Sequence, residues 1–431
     1  MSKHDVGKMD RLIAANKPED IALEYHARYQ GKIEVGLKAP VRSNDDFAIW
    51  YTPGVAEPCR EIKANRERVF EYTNKGNSVV IVTDGTRVLG LGDVGAEAAL
   101  PVMEGKAMLF KYLGNVDAFP VCLATKDAES IIKTVKLIAP TFGGVNLEDI
   151  ESPKCYYILE RLKAELNMPV WHDDQQGTAL VILAGLITAL KVVGKSLSDV
   201  AISLIGAGAA NINVAKYVSM AGARWGNMIM VDSKGILHAD RKDVKGDKNK
   251  WEMCKKTNKE GRIGRIKEAM RDTDVCIALS TPGPGIIKKD WVADMADDAI
   301  VFACANPVPE IWPWEAEEGG AKIVATGRSD FKNQLNNSLG FPAIFRGALD
   351  VRATGITEEM CIAAADAIAK YAEEKGISES YIIPRMEESE MYACEAVAVG
   401  MKAMAQGVAE RKMSREELEE KVREKIFKIK Q

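Results

Sequence analysis

The pattern of apolar and polar positions divides the chain into two regions that differ in how predicted strands and helices follow one another. Up to about residue 160, strand and helix patterns are mixed, and the stretch NSVVIVTDG predicts a strand over 79–82 that ends in a turn at Asp84-Gly85. The same region predicts a helix over 96–113, a strand near 119–123 and a helix over 127–138. Pro140 and Gly143-Gly144 then interrupt the pattern.

Beyond about residue 153, strands and helices alternate more regularly. CYYILERLKAEL is amphipathic, MPVWH is a short strand, and TALVILAGLITALKVVG is apolar on nearly every side, which predicts a buried helix. Strand patterns then recur in VAISLIGAG, NMIMVD, DVCIALSTPG, AIVFACANP and AKIVATG. Strands that alternate with helices predict a parallel, doubly wound sheet.

The C-terminal tail predicts one more helix. Ser414 and Glu417 form a capping box, and Leu418, Val422, Ile426 and Ile429 fall on one stripe. We expect this helix to pack on a domain or on a partner subunit. The predicted fold is therefore α/β with two domains: a catalytic and substrate domain over 1–160, a Rossmann-type dinucleotide-binding domain over 161–390, and a helical extension over 391–431.

Composition narrows the class of protein. The 431 residues exceed one ordinary core, and 47% hydrophobic with 28% charged residues is typical of a soluble globular protein. A net charge of −4 does not favour nucleic acid as a partner. The first twenty residues have no apolar run, so no signal peptide is expected, and the apolar helix over 178–193 is too short for a confident membrane span. Eight scattered cysteines, none in a C-x-x-C motif, favour a reduced cytoplasmic setting.

The stretch LIGAGAANINVA predicts a dinucleotide site. Gly206 permits a tight turn after a strand, Gly208 lets the backbone approach a pyrophosphate, and the following helix presents its N-terminus. Asn211 departs from the third glycine or alanine of the fingerprint. A pair of glycines alone is weak support, but the strand before it and the helix after it make this explanation better than a plain turn. The candidate cofactor contacts are Gly206, Ala207, Gly208, Ala209, Ala210 and Asn211.

An acid ends the next strand and bears on the choice of cofactor. Asp232 lies 24 positions beyond Gly208, where a carboxylate accepts from a ribose 2′-hydroxyl and repels a 2′-phosphate. This favours NAD over NADP. Lys234 could offset the repulsion between Asp232 and a 2′-phosphate, or it is a solvated surface lysine. Ser233 lies between Asp232 and Lys234. NADP therefore stays open as the alternative.

Two acidic pairs are candidate metal ligands. Glu148-Asp149 and Asp173-Asp174 lie on either side of one predicted helix, and carboxylates brought together repel unless a cation binds. Oxygen ligands suit Mg²⁺ or Mn²⁺. The alternative is that Asp149 and Asp174 cap helices, and spacing alone favours that alternative. His172 is interpreted as a packed strand residue rather than a ligand.

Two single residues are candidates for proton transfer. Tyr51 precedes the Pro53-Gly54 turn, which can hold a phenol rigidly, and Lys106 interrupts an otherwise apolar helix. A desolvated lysine near a metal has a lowered pKa and can act as a base. A core tyrosine and a lysine that extends its amine to the surface are the simpler alternatives for each residue taken alone.

Together these motifs resemble the malic enzymes in their short bacterial and archaeal form. The resemblance covers about residues 20–390 and rests on YTPGVAEPCREI, TDGTRVLGLGDVGAEAALPVMEGKAMLFK, GGVNLEDI, HDDQQGTA, GAGAAN, ANPVPEI and NQLNNSLGFPAIFRGALD, in family order. The pair TDGTRVLGLGDVG and HDDQQGT is highly specific.

The resemblance assigns roles to residues of this chain. It implies that Tyr51 is the general acid, Lys106 the general base and Asp173 the neighbour that supports the base. It implies metal ligation by Glu148, Asp149 and Asp174. It implies substrate binding by Arg87, Asn306, Asn336 and Asn337, with Asn306 also near the cofactor. Gln176 stands where relatives often carry histidine.

The implied activity is metal-dependent oxidative decarboxylation of (S)-malate to pyruvate and CO₂ with NAD or NADP, together with decarboxylation of oxaloacetate. A homodimer or higher homo-oligomer is expected from the family, with no nucleic acid or membrane as partner. One rival is an amino-acid dehydrogenase, which has a similar two-domain plan and a catalytic lysine but needs no metal. The other is a nucleotide-sensing regulator on a decayed fold.

Overall fold

The N-terminal sheet consists of four parallel strands. The computed structural model describes residues 21–88 and 90–428. Within them the first sheet has the order β2-β1-β3-β4, with β1 Ser78–Thr83, β2 Asp117–Cys122, β3 Gly144–Leu147 and β4 Val170–His172. All six residues of β1 (SVVIVT) are buried, as expected for a strand inside a parallel sheet.

A second, larger sheet follows. Its six strands have the order β10-β9-β8-β5-β6-β7, and only β7 is antiparallel. They are β5 Ile202–Ile205, β6 Met228–Asp232, β7 Gly235–Ile236, β8 Val275–Ala278, β9 Ile300–Ala303 and β10 Ile323–Thr326. This confirms the doubly wound parallel sheet that the sequence predicts.

Helices cover both sheets and form the C-terminal part of the chain. In addition to a helical stretch over 21–29, the first half contains α1 Asn44–Trp50, α2 Ala56–Ala64, α3 Val69–Tyr72, α4 Ala96–Gly114, α5 Ala128–Ile138, α6 Lys154–Glu165 and α7 Thr178–Val192. The second half contains α8 Ala209–Met220, α9 Lys248–Lys256, α10 Ile266–Met270, α11 Lys289–Ala293, α12 Pro313–Glu318, α13 Phe341–Asp350, α14 Glu358–Lys375, α15 Ser389–Ala405 and α16 Arg415–Phe427.

Helix α4 carries its buried residues at helical spacing. Its inner stripe consists of Ala99, Met103, Lys106, Phe110 and Leu113, three or four residues apart. Phe110 packs against two rings of α13, with centroid distances of 4.6 Å and 5.3 Å. Lys106 therefore lies inside the core stripe, and its amine points inward.

Helix α7 is the central apolar helix. The stretch Asp173–Val192 is long and apolar enough to cross a membrane by length and composition, but 78% of its apolar window is buried inside the fold. A core helix that is apolar on every side has this property. Buried residues on α7, such as Leu183 and Leu186, belong to the core cluster shared with both sheets.

The tail helix forms as predicted. Ser414 accepts from the backbone N–H of Glu417 and the carboxylate of Glu417 accepts from Ser414, which is the expected capping box. Leu418, Val422 and Ile426 are buried, and α16 packs on α15 and α13. Ile429 and the first twenty residues lie outside the described part of the chain.

The expected domain boundaries at residues 160 and 390 stay predictions. Strand β4 completes the first sheet although it follows residue 160. Helix α13 packs on α4, although α4 comes before the second sheet in the sequence and α13 comes after it. The two regions therefore share a continuous core.

Candidate active site

The site begins at the edge where the four parallel strands of the first sheet end. Asp84 follows β1, Glu148 follows β3, and Asp173 follows β4. Because these strands run parallel and are adjacent, their carboxyl ends meet at one edge. Three stretches that are distant in sequence thus deliver acidic side chains to one place.

Three carboxylates converge there. Glu148, Asp149 and Asp174 each offer an oxygen, and these oxygens lie within 4.8 Å of one another. Asp149 adopts a left-handed backbone conformation (φ 53°), and its N–H donates to Asp174 Oδ2 at 2.9 Å. Neither aspartate caps a helix, since no side chain caps α6 or the turn before α7. The capping alternative for Asp149 and Asp174 is therefore wrong.

Oxygen donors in this arrangement fit a hard divalent cation such as Mg²⁺ or Mn²⁺. Glu148 and Asp149 are only 4% and 5% exposed. Burial raises the pKa of the Glu148 carboxyl well above its ordinary value. A cation bound by these oxygens would offset the cost of burying ionised carboxylates together.

Lys106 lies beside this cluster. Its amine pairs with Asp173 and lies 3.0 Å from Glu148 Oε1. It also lies 4.2 Å from the ring centroid of Phe341. The alternative of a lysine that extends its amine to the surface is therefore wrong. The ammonium group is buried and contacts two carboxylates and an aromatic face.

The expected lowering of the Lys106 pKa is not found in this arrangement of side chains. Burial lowers the pKa of the amine, but the charges of Asp173 and Glu148 outweigh burial and raise it above its ordinary value. The sequence argument counted burial and a metal charge but not the two carboxylates in direct contact. With these neighbours alone, Lys106 is protonated.

Asp173 is fixed from three sides. Its Oδ1 accepts from Trp171 Nε1 at 3.0 Å, and its Oδ2 accepts from the Lys106 amine. It opens one turn of π-helix, Asp173–Gly177, that leads into α7. A methyl group on Gly177 would overlap Asp173 Oδ1, so only glycine fits there. Irregular turns of this kind are frequent at functional sites.

His172 is a packed strand residue, as interpreted from the sequence. It ends β4, is fully buried, and burial lowers its pKa to about 4. Its imidazole is therefore neutral at physiological pH. It does not belong to the group of oxygens that could hold a metal.

The candidate substrate residues surround this edge. The Arg87 N–H donates to the Asp149 carbonyl at 3.0 Å, and its side chain is exposed. Asn337 packs next to Gly177, while Asn336 donates to the Gly327 carbonyl at 3.1 Å.

Asn306 follows β9 of the second sheet and is enclosed by glycines of both regions. A methyl group on Gly327 would lie 2.8 Å from Asn306 Nδ2, and one on Gly90 would lie 2.8 Å from the Asn306 carbonyl oxygen. This amide therefore lies where the two sheets approach each other.

Tyr51 is placed differently from the other candidates. It follows α1, and its side chain is 72% exposed. Among the described residues, no hydrogen bond joins its phenol to Lys106 or to the acidic cluster. The alternative of a core tyrosine is therefore wrong, and the general-acid assignment still rests on the resemblance.

The glycine motif forms the turn that the sequence predicts. Gly206 has φ 101°, and a methyl group there would lie 2.5 Å from the Leu279 carbonyl oxygen. A methyl group on Gly208 would meet nothing within 4 Å, so its surface is open to a ligand at the start of α8. Asn211 is buried and donates to the carbonyls of Ile205 and Gly206, so its amide braces the turn. Ala207, Ala209 and Ala210 complete this segment.

Asp232 ends β6 as predicted and is held by a partner that the sequence argument missed. Arg241 donates to both of its carboxylate oxygens, at 3.1 Å and 2.8 Å. Arg241 and Lys234 also pair with Asp243. Ser233 follows Asp232 in the turn before β7.

Sequence reasoning also missed Glu310. This carboxylate is fully buried and accepts from the N–H and hydroxyl of Ser280 and from the Ala305 N–H. It therefore ties the loop after β8 to the loop after β9 that carries Asn306. In the sequence, Glu310 is the single acid of ANPVPEI, and no other polar residue lies at a spacing that would indicate its role.

Comparison with known proteins identifies the family of this chain. The model of the malic enzyme N-terminal domain matches residues 30–163, and that of the malic enzyme NAD binding domain matches residues 175–406. The chain is 51% identical to a bifunctional malic/malolactic enzyme of Bacillus subtilis, over 93% of this chain and 97% of that protein. It is 50% identical to an NAD-dependent malic enzyme of Geobacillus stearothermophilus, over 88% of this chain and 78% of that protein.

A solved structure has the same fold. The malic enzyme of Pyrococcus horikoshii superposes with a TM-score of 0.88 at 52% identity and covers 93% of both chains. The chain therefore belongs to the malic enzyme family.

Proposed function

We propose that this protein catalyses the oxidative decarboxylation of (S)-malate to pyruvate and CO₂, and also the decarboxylation of oxaloacetate. The observation that carries the proposal is the buried Lys106 amine, 3.0 Å from Glu148 and paired with Asp173, beside three converging carboxylates. A lysine amine next to a divalent-metal site suits removal of a hydroxyl proton from an anionic substrate once the amine is deprotonated. NAD or NADP, when bound, would supply the hydride acceptor.

Lys106 is proposed as the general base. It takes the C2 hydroxyl proton of malate as hydride leaves the same carbon, and it must first lose its own proton. Asp173 and Glu148 raise its pKa, so deprotonation requires that positive charge be added nearby. Asp173 holds the amine in place, and Trp171 in turn holds Asp173.

Glu148, Asp149 and Asp174 are proposed to hold Mg²⁺ or Mn²⁺. When bound, this cation supplies Lewis acidity at the substrate oxygen and positive charge near Lys106. The three carboxylates would hold it in one place, because Glu148 and Asp149 lie on the turn after β3 and Asp174 is anchored by the Asp149 N–H.

The remaining residues are proposed to orient substrate and complete proton transfer. Arg87 offers a planar, bidentate fork to a malate carboxylate. The amides of Asn306, Asn336 and Asn337 bind polar groups of substrate and cofactor. Tyr51 is proposed to donate the proton to C3 after CO₂ leaves.

NAD is the proposed cofactor in preference to NADP. Both oxygens of Asp232 are occupied by Arg241, and the Lys234 and Gly235 N–H groups donate to Oδ1. The two nearby cations are each paired with a carboxylate, so neither is free to bind a 2′-phosphate. A 2′-phosphate would meet the negative charge of Asp232.

A homodimer or higher homo-oligomer in the cytoplasm is also proposed. Large apolar side chains in residues 21–55 are exposed, among them Leu23, Val35 (89%), Leu37 and Trp50. Exposed apolar surface of this extent is typical of association sites. All eight cysteines are free, which suits a reducing compartment. Sedimentation velocity that gives only monomer across concentrations would contradict the oligomer.

The proposed reaction is tested by one assay of the purified protein. (S)-Malate, Mn²⁺ and either NAD⁺ or NADP⁺ are supplied, and reduced cofactor and pyruvate are quantified separately. We expect equal amounts of both products, loss of both with EDTA, and faster turnover with NAD⁺. Reduced cofactor without pyruvate would mean a plain dehydrogenase. Activity on amino acids that survives EDTA would support the dehydrogenase rival.

A further inference from the structure

A basic cleft lies between the N-terminal region and the C-terminal helix α16. It encloses about 790 Å³, within the usual size range of a small-molecule site. Its walls come from the loop at Lys38, the segment before β1, the C-terminal end of α4, the end of α13 and one face of α16. No residue proposed above for catalysis, metal or cofactor lines it.

The charge of the lining is unbalanced. Seven lining side chains are basic, whereas Asp350 and Glu424 are the two carboxylates among the described residues that line the cleft. Some of the cations have partners just outside the lining. Arg352 meets both Glu67 and Glu410, so its charge is offset.

Three cations near the end of α13 share one carboxylate, that of Asp350. Asp350 is fully buried and receives two hydrogen bonds from Arg346, each 2.9 Å. The same carboxylate also pairs with Lys425, and Lys421 Nζ lies 3.8 Å from it. Three cations therefore face one negative charge.

The same pattern recurs at the loop of Lys38 and the C-terminal end of α4. Lys38 and Lys111 both pair with Asp117, at 3.2 Å and 2.8 Å. Arg411 and Lys428 make no ion pair with any residue that the structure describes. Burial, and to a smaller extent the neighbouring Arg346 charge, lower the pKa of Lys425 to about 8, while Asp350 opposes them.

We propose that this cleft binds a small polyanion that carries at least one phosphate group. The surplus charge surrounds a cavity of metabolite size rather than a flat surface, and it comes from several walls, so a ligand with more than one negative charge satisfies it best. The Arg346 and Arg352 forks that would suit a carboxylate are already occupied by carboxylates. The cations that remain are mostly lysines, which bind phosphate as point charges.

Calorimetric titration with inorganic tripolyphosphate tests the proposal. The full-length protein is stripped of metal with EDTA and dialysed into chelator-free buffer, because EDTA is itself a polyanion that would compete for the cleft. NAD⁺ is then added so that the dinucleotide turn does not take up the probe. The test variant is Arg411→Gln with Lys428→Gln, because neither side chain makes an ion pair on which the fold depends. Lys421→Gln is the second variant and changes a single lysine on α16. The matched control is Lys256→Gln with Lys370→Gln, two exposed lysines that do not line the cleft.

We expect one saturable site in the wild type, an affinity about tenfold lower in the double variant, a smaller loss in Lys421→Gln and no change in the control. Three results would overturn the proposal: no binding to the wild type, equal binding to the double variant, or an equal loss in the control. Citrate is titrated in parallel, and citrate binding as tight as that of tripolyphosphate would overturn the phosphate assignment. None of these outcomes depends on the proposed reaction, since activity is not the readout.

Discussion

Gly177 lies directly against the carboxylate of Asp173, so that a methyl group on its α-carbon would overlap Asp173 Oδ1. Gly177→Ala must therefore move the carboxylate that holds the Lys106 amine. A displacement of about 1 Å in a reacting group costs on the order of 100-fold in rate. We expect kcat to fall by about that factor while NAD⁺ affinity is kept, as measured by turnover and by calorimetry.

Gly246→Ala is the matched control, since a methyl group there meets no atom within 4 Å. It should leave kcat unchanged. Wild-type turnover in Gly177→Ala would show that the position of Asp173 does not govern the reaction.

Metal affinity is expected to depend on Asp174. Asp174→Asn removes one of three converging oxygens and should weaken Mn²⁺ binding at least about tenfold in a direct titration. A cation at 100 times its Kd stabilises the folded protein by about 2.7 kcal/mol, so Mn²⁺ should raise the melting temperature of the wild type more than that of the variant. Asp240→Asn, at a side chain 91% exposed, is the control. Equal Mn²⁺ affinity in wild type and Asp174→Asn would place the metal elsewhere.

Cofactor choice is expected to change when Asp232 is removed. Asp232→Ser removes the carboxylate that would repel a 2′-phosphate and leaves Arg241 paired with Asp243 alone, so that its charge is less offset. The ratio of kcat/KM for NADP⁺ to that for NAD⁺ should rise by about tenfold or more. Asp199→Ser, at an exposed aspartate of the same region, should leave the ratio unchanged. An unaltered ratio in Asp232→Ser would mean that cofactor selection lies with other residues.

A buried acid in the C-terminal helices predicts a pH-dependent stability. Glu395 on α15 is fully buried, neither of its carboxylate oxygens has a hydrogen-bond partner among the residues that the structure describes, and burial raises its pKa well above the ordinary value. The folded state therefore keeps a proton that the unfolded state loses as pH rises above the ordinary pKa. In that window stability falls by up to about 1.4 kcal/mol per pH unit.

Glu395→Gln removes this ionisation while keeping the shape of the side chain. We expect the variant to match the wild type near pH 4 and to be increasingly more stable toward pH 8 in denaturant titrations. The exposed Glu374→Gln is the control and should show no such trend. A difference that does not change with pH would contradict the raised pKa.

The sequence predicted most elements because their patterns are strong. The runs VVIV, MIMV and VCIA are too apolar for an exposed surface and too short for a helix, and each is a buried strand of a parallel sheet. The glycine turn at Gly206 was predictable because only glycine accepts both its φ and the nearby Leu279 carbonyl.

The site was less accessible to sequence reasoning, because its decisive contacts link distant segments. Spacing alone favoured capping for Asp149 and Asp174, since nothing local reveals that β3 and β4 are neighbours. The sequence predicted that the pKa of Lys106 falls, whereas its two carboxylate partners raise it. These partners could not be foreseen because they lie 42 and 67 positions away in the chain. Arg241 and Glu310 escaped notice for the same reason: each acts through a contact that only the fold creates, although Glu310 lies within the ANPVPEI motif.

The measurement that tests the account most directly is the turnover of Lys106→Ala together with its affinity for NAD⁺. General-base removal costs about 10²- to 10⁴-fold, so malate oxidation should be abolished or nearly so, while NAD⁺ binds as it does to the wild type. Lys133→Ala, at an exposed lysine of α5, should behave as the wild type in both respects. Wild-type malate turnover in Lys106→Ala would contradict the assignment of the buried lysine and its carboxylates as the catalytic centre.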